Sequence, residues 1–168
     1  DHRQAMLGIA ANRELDGLIR DGVRVEFKDP QGKVRRERVR VIDFDYLPEG
    51  DWVACAPDAA HWRDGFRIAR PVLEADCLVS TGCVKTHQFG GVITLSLKLH
   101  VGVVPTFRNG FPYMQELHGS PHQQEMIAEI NLPFSPQLVV LDGIEAFVDG
   151  GPATGERASG GVILAATD

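Results

Sequence analysis

A chain of 168 residues has the length of one domain with one core. Its formal net charge of −6 argues against a general phosphate-backbone binder, which needs a basic face, so no nucleic-acid partner is expected. No apolar run approaches the ~20 residues of a membrane span, and no signal-peptide pattern opens the chain, so no membrane partner is expected either.

The chain begins with Asp1 rather than Met and stops where a strand ends at Asp168, which leads us to expect a piece of a longer protein. The cysteines, Cys55, Cys77 and Cys83, show no C-x-x-C spacing. They make neither a disulfide framework nor a zinc knuckle nor an intrinsic iron–sulfur cluster, and they fit a reducing, cytoplasmic setting. Cys55 and Cys77 read as small buried hydrophobes. Cys83 stands two residues before Lys85, a nearby cation able to lower a thiol pKa.

In chain order, residues 2–21 read as a helix ending at Gly22, with Met6, Ile9, Ala10, Leu15, Leu18 and Ile19 near helical spacing. Val23, Val25 and Phe27 then alternate with Arg24, Glu26 and Lys28 as a half-buried strand. Asp29-Pro30-Gln31-Gly32 is a turn, and a strand over 34–44 pairs back as a hairpin. In that strand Lys33, Arg35, Arg36, Arg38 and Arg40 alternate with valines, the pattern of a solvated edge-strand face. Short strands follow at Trp52–Ala56 and Phe66–Ala69, and Pro71 opens a short helical turn.

Cys77–Ser80, Leu138–Leu141 and Val162–Ala166 read as buried strands of a sheet covered on both faces. A helix lies between the first two, with Ser120 at the N-cap, Pro121 at N1, Gln123 completing a capping box, and Met126, Ile127 and Ile130 on its apolar face. The predicted fold is α/β: an open mixed, centrally parallel sheet with helices on both faces and an N-terminal β-hairpin, in one domain over residues 1–168. Ile93 to Val101 alternates apolar and polar residues, so periodicity alone leaves strand and helix open there.

Three features carry chemistry. Lys85-Thr86-His87 follows the first buried strand and leads to Gly90-Gly91, then Lys98 and His100. Ligands of open α/β sheets bind beyond the carboxyl ends of strands. There a lysine supplies charge for an anion, a histidine shuttles a proton near neutral pH, and a glycine pair lets backbone approach a ligand. Glu116, His118 and His122 come next, as a histidine pair for a metal or one wall of an anion pocket beside a helix start. Last, Asp142 ends a strand and Asp149-Gly150-Gly151-Pro152-Ala153-Thr154-Gly155 makes a loop able to form an anion-binding nest. Asp168, on the neighbouring strand, would face Asp142 across a hard-cation site such as Mg²⁺.

These residues also carry a resemblance. The order Arg70-Pro71-Val72-Leu73-Glu74-Ala75-Asp76, Lys85-Thr86-His87, Thr94-Leu95-Ser96-Leu97-Lys98, Gly102, His118, Leu141-Asp142-Gly143-Ile144, Gly150-Gly151-Pro152, Gly155 and Asp168 resembles the domain of unknown function 362 family, from about residue 15 onward. The resemblance implies a bacterial or archaeal α/β domain often associated with iron–sulfur proteins, although this chain lacks the ferredoxin-like cysteine segment of many members. It also favours a helix at Ile93–Val101. A remoter similarity, to nickel-pincer lactate racemases, implies His87 as acid/base, Lys98 as cofactor anchor and His118 as nickel ligand.

Two functional expectations follow. One is an enzyme or enzyme-like domain binding a small anionic substrate, with His87 and Lys98 catalytic. Lys85, Gly90, Gly91, His118, Gly151 and Gly155 would then bind substrate, and His118, Asp142 and Asp168 would hold a transition metal or Mg²⁺. The other is an accessory subunit for a redox protein partner, docking through the aromatic, Arg and Met residues of Val104–Met114.

Overall fold

The computed structural model describes residues 21–56, 60–87, 91–151 and 155–167, so the helix expected at 2–21 lies outside the described residues, apart from Asp21. The chain divides into two compact units, Asp1–Tyr46 and Leu47–Asp168.

In the first unit, β1 (Val23–Lys28) and β2 (Val34–Val39) form the expected antiparallel hairpin, in register from Val23 opposite Val39 to Lys28 opposite Val34. The turn is built by Asp29, whose Oδ1 accepts from the backbone N–H groups of Gln31 (3.1 Å) and Lys33 (2.9 Å). Every residue of β2 is exposed, and its arginines pair locally, Arg35 with Asp29 and Arg36 with Glu26. β2 is shorter than the expected 34–44 strand, and Phe44–Tyr46 is a 3-10 turn.

In the second unit, β3 (Trp52–Cys55) pairs antiparallel with β4 (Phe66–Ala69), and α1 (Arg70–Leu73) follows with Pro71 in its first turn. A four-stranded sheet then has the order β6-β5-β7-β8. Its members are β5 (Val79–His87), β6 (Gly91–Thr94), β7 (Leu138–Gly150) and β8 (Gly155–Ala166). The central pair, β5 and β7, is parallel; β6 and β8 flank it antiparallel. The mixed, centrally parallel α/β architecture is the one expected. Between β6 and β7 lie α2 (Ser96–Leu99), a 3-10 turn at His100–Val103, α3 (Tyr113–Gly119) and α4 (Gln123–Ile130). The ambiguous Ile93–Val101 segment is therefore divided: a strand to Thr94, then helix from Ser96.

The core gathers where β3, β4, α3 and α4 contribute apolar side chains: Trp52, Phe66, Ile68, Leu117, Met126 and Ile130 are buried. Met126 and Ile130, four apart, present one stripe of α4 inward. Trp62 is buried with them and donates its indole N–H to the Met126 carbonyl (3.3 Å).

The strand expectations need four corrections. β5 runs seven residues beyond Ser80 and is mostly half-exposed or exposed, with Ser80 its one buried residue. Cys77 is exposed rather than buried. β7 continues nine residues past Leu141, so Asp142 lies within the strand. β8 is antiparallel to β7, lies at an edge of the sheet among the described residues, and is exposed along its whole length. The α4 cap is also shifted: the helix starts at Gln123 with His122 at the cap, while Ser120 Oγ accepts from the His122 N–H (3.1 Å) one turn earlier.

Candidate functional site

The Lys85–His87 segment is part of β5, with a neighbour on each side. Lys85 sits opposite Thr94 of β6 and Phe147 of β7, and His87 sits opposite Gly91. From Cys83 to Lys85, β5 advances two residues while β7 advances five, from Asp142 to Phe147. From Lys85 to His87, β5 again advances two residues while β6 covers three. The irregularities thus lie on the flanking strands, and β5 keeps its alternation, so Lys85 and His87 share one face.

The hairpin between β7 and β8 closes onto this end of β5. Gly151 is buried at φ +76°, and a Cβ there would stand 2.3 Å from the Thr86 carbonyl oxygen. Only glycine allows that approach. Thr86 Oγ1 donates to the Phe147 carbonyl (3.2 Å), tying the same two strands together. Gly155 closes the hairpin opposite Gly150, where a Cβ would meet the Asp149 carbonyl at 2.0 Å. Two glycine features far apart in sequence therefore flank Lys85 and His87. Gly91 does so through β6, and Gly151 through the hairpin. Gly90, and residues 152–154 of the expected nest, lie outside the described residues.

Lys98 reaches the same region from α2, a helix that packs on β5. Its pKa is held below the ordinary lysine value, first by burial and then by the Lys85 charge. Both lysines are half-buried, and among the described residues neither forms an ion pair with a carboxylate. Two half-buried lysines without carboxylate partners thus stand on packed elements of a chain of net charge −6. Beside them Thr94, the register partner of Lys85, is 9% exposed and its Oγ1 has no hydrogen-bond partner.

His118 stands in the last turn of α3, and α3 packs against α4. His122 stacks near His61: their ring centroids are 4.6 Å apart, and His61 Nδ1 lies 2.5 Å from Glu129. Asp142 is exposed, and its Oδ1 accepts from the Ile144 backbone N–H (2.9 Å), a contact local to the β7 irregularity. Asp168 lies outside the described residues, so the expected His118–Asp142–Asp168 set is not described as a group. Among the described residues, no three His, Cys, Asp or Glu side chains assemble as metal ligands.

A second polar group was not anticipated as a unit. Ser80 Oγ lies 2.7 Å from His100 Nε2, and His100 Nδ1 lies 2.5 Å from Asn131 Oδ1. The Asn131 amide donates to the carbonyls of Leu97 (3.2 Å) and Ile127 (2.8 Å), which directs its oxygen at the imidazole. The proton therefore sits on Nδ1, and Ser80 donates to Nε2. Phe134 packs edge-on against the ring at 5.0 Å. His100 and Asn131 line a cavity of about 430 Å³, with Leu97, Phe134, Leu141 and Leu164 among its apolar walls. Val139, Ser80 and Ala166 are register partners in one row across the sheet, and Val139 and Ala166 both line this cavity. Sequence alone groups His100 with Lys85, His87 and Lys98; Asn131 follows the end of α4, and nothing local links it to Ser80.

The Val104–Met114 stretch packs on its own unit. Val104, Pro105 and Tyr113 are buried, Phe111 packs on Tyr113 at 4.7 Å, and Arg108 stacks over Trp52 at 5.4 Å and bonds the Leu47 carbonyl. Among the described residues no helix is long and apolar enough to cross a membrane.

A sequence model described as "Domain of unknown function (DUF362)" matches residues 32–168. The thylakoid-associated protein sll1697 of Synechocystis sp. is 26% identical over 102 residues, covering 61% of this chain and 32% of that protein. The match thus spans about a third of the length of that curated relative. No solved structure matches the chain. None of these matches supports the nickel-pincer resemblance.

Proposed function

The chain belongs to the domain of unknown function 362 family, and on that footing we propose that it is an enzyme-like domain that binds a small anionic substrate where β5, β6 and α2 meet. The observation that carries this reading is that Lys85 of β5 and Lys98 of α2, the helix packed on β5, are both half-buried and, among the described residues, have no carboxylate to neutralise them. Like charges brought together at half-buried positions oppose folding, and a bound anion relieves that opposition. His87, on the Lys85 face of β5, is the candidate general acid/base. The close backbone approach of Gly151 shapes the site's rim.

The test is calorimetric titration of the chain with sodium phosphate and with sodium acetate at low ionic strength. A charge-assisted hydrogen bond contributes about 1.5–3 kcal/mol, so Lys98→Met should weaken binding by roughly 10- to 100-fold. Unchanged affinity in both Lys98→Met and Lys85→Met, with melting temperatures no lower than wild type, would refute the reading.

A further inference from the structure

Among the described residues four buried polar atoms lack a partner: Trp52 Nε1, Thr94 Oγ1, Arg108 Nε and Glu116 Oε2. Three of them belong to side chains engaged in other ways. Arg108 bonds the Leu47 carbonyl through another nitrogen, Glu116 Oε1 accepts from the Arg63 N–H (2.7 Å), and Trp52 lies under the Arg108 guanidinium. Thr94 differs from Arg108 and Glu116 in having a single side-chain polar atom, and from Trp52 in having no cation stacked on it; its hydroxyl is unpartnered in a residue 9% exposed. A buried hydroxyl without a partner destabilises a fold, so such atoms call for an explanation in what the native protein holds.

The position supplies one. Thr94 is directly opposite Lys85 in the β5–β6 pair, and residues so paired lie on one face with Cβ atoms about 5 Å apart. Lys98 lies on α2, which packs on β5, and the Lys85 charge adds to burial in lowering its pKa. Thr94 ends β6, and Ser96 opens α2 two residues later, so this short joint places hydroxyl and Lys98 on consecutive elements. The hydroxyl, Lys85 beside it in the ladder, and Lys98 on the next element, which packs on β5, thus belong to one corner of the sheet.

Resting on the anion-site reading above, we propose that Thr94 Oγ1 donates a hydrogen bond directly to the bound anion, so that the site recognises an oxyanion, carboxylate or phosphate, through three points: Thr94, Lys85 and Lys98. The hydroxyl is then a specificity-determining contact, and its unpartnered state in the free chain is the cost of keeping a donor ready for the ligand.

The experiment compares Thr94→Val, which keeps the shape and removes the hydroxyl, with Thr94→Ser, which keeps the hydroxyl. The proposal expects Thr94→Val to melt at or above the wild-type temperature, because an unsatisfied buried group is gone, yet to bind oxyanion about tenfold or more weakly. Thr94→Ser should retain affinity to within about threefold. Titrations with inorganic phosphate and with acetate, run separately, tell which oxyanion the three points fit. Unchanged affinity in Thr94→Val while Lys98→Met weakens binding overturns the Thr94 contact and leaves the anion site standing. Absence of binding by wild type to both probes overturns the two together. A lower melting temperature in Thr94→Val, with Thr94→Ser unaffected, shows the hydroxyl already satisfied within the fold and also overturns the contact.

Discussion

Replacing Asn131 with alanine should be among the most damaging single changes away from the apolar core. His100 is 4% exposed, and its Nδ1–H has Asn131 Oδ1 as its partner. Without the amide, that donor stays buried and unpaired, at about 1–3 kcal/mol. The two bonds from Asn131 to the Leu97 and Ile127 carbonyls also go, at about 0.5–1.5 kcal/mol each. Asn131 itself is half-buried, so water replaces part of what is lost. A net destabilisation of about 2–3 kcal/mol is expected. Ser80→Ala removes one bond and leaves Nε2 without its donor, an expected loss of about 1–2 kcal/mol. Both tryptophans, Trp52 and Trp62, are buried in the same unit, so urea unfolding followed by tryptophan fluorescence reads these changes directly. A double-mutant cycle between Ser80→Ala and Asn131→Ala should show coupling of at least about 0.5 kcal/mol, because both act on one imidazole. Strict additivity, or an Asn131→Ala loss below about 0.5 kcal/mol, would refute the claim that His100 is held at both nitrogens.

Two further outcomes can be checked by thermal melting. Lys98 has a folded-state pKa below its unfolded value, so the unfolded chain binds the extra proton over the interval between the two. Its contribution to stability is therefore least favourable below the folded pKa, and rises with pH through that interval. Melting temperature against alkaline pH should show this rise in wild type relative to Lys98→Met, and saturating phosphate should diminish it. An identical pH profile for both proteins would contradict the depressed pKa. Gly151→Ala should cost about 1–3 kcal/mol, since the new Cβ meets the Thr86 carbonyl in a backbone already at positive φ; a melting temperature equal to wild type would refute that close approach.

Much of the architecture is legible in local chemistry. The β1–β2 hairpin follows from strict alternation and an Asp-Pro-Gln-Gly turn, and Asp29 closes it with its own side chain. The α4 stripe follows from the spacing of Met126 and Ile130. Strand ends were less legible. β5 and β7 run on through Lys85, Thr86 and Asp142, residues that look like loop by polarity, because ladder hydrogen bonds to neighbours outweigh weak β-propensity. Polar residues in strands are tolerated when one face is open, and here most of the sheet is half-exposed or exposed.

Periodicity, turn chemistry and charge pattern already specify the fold class and the hairpin, because both follow from local properties of the chain. Which polar residues become neighbours is set by tertiary packing. The elements that carry Lys85 and Lys98 pack together, α2 on β5, and strand register sets Thr94 opposite Lys85. Gly151 arrives through a hairpin more than sixty residues further along the chain. Asn131 reaches His100, and Ser80 behind it, by the same kind of long-range packing. Contacts across such separations are chosen by which faces pack and which ladders align, and neither is written in the local pattern.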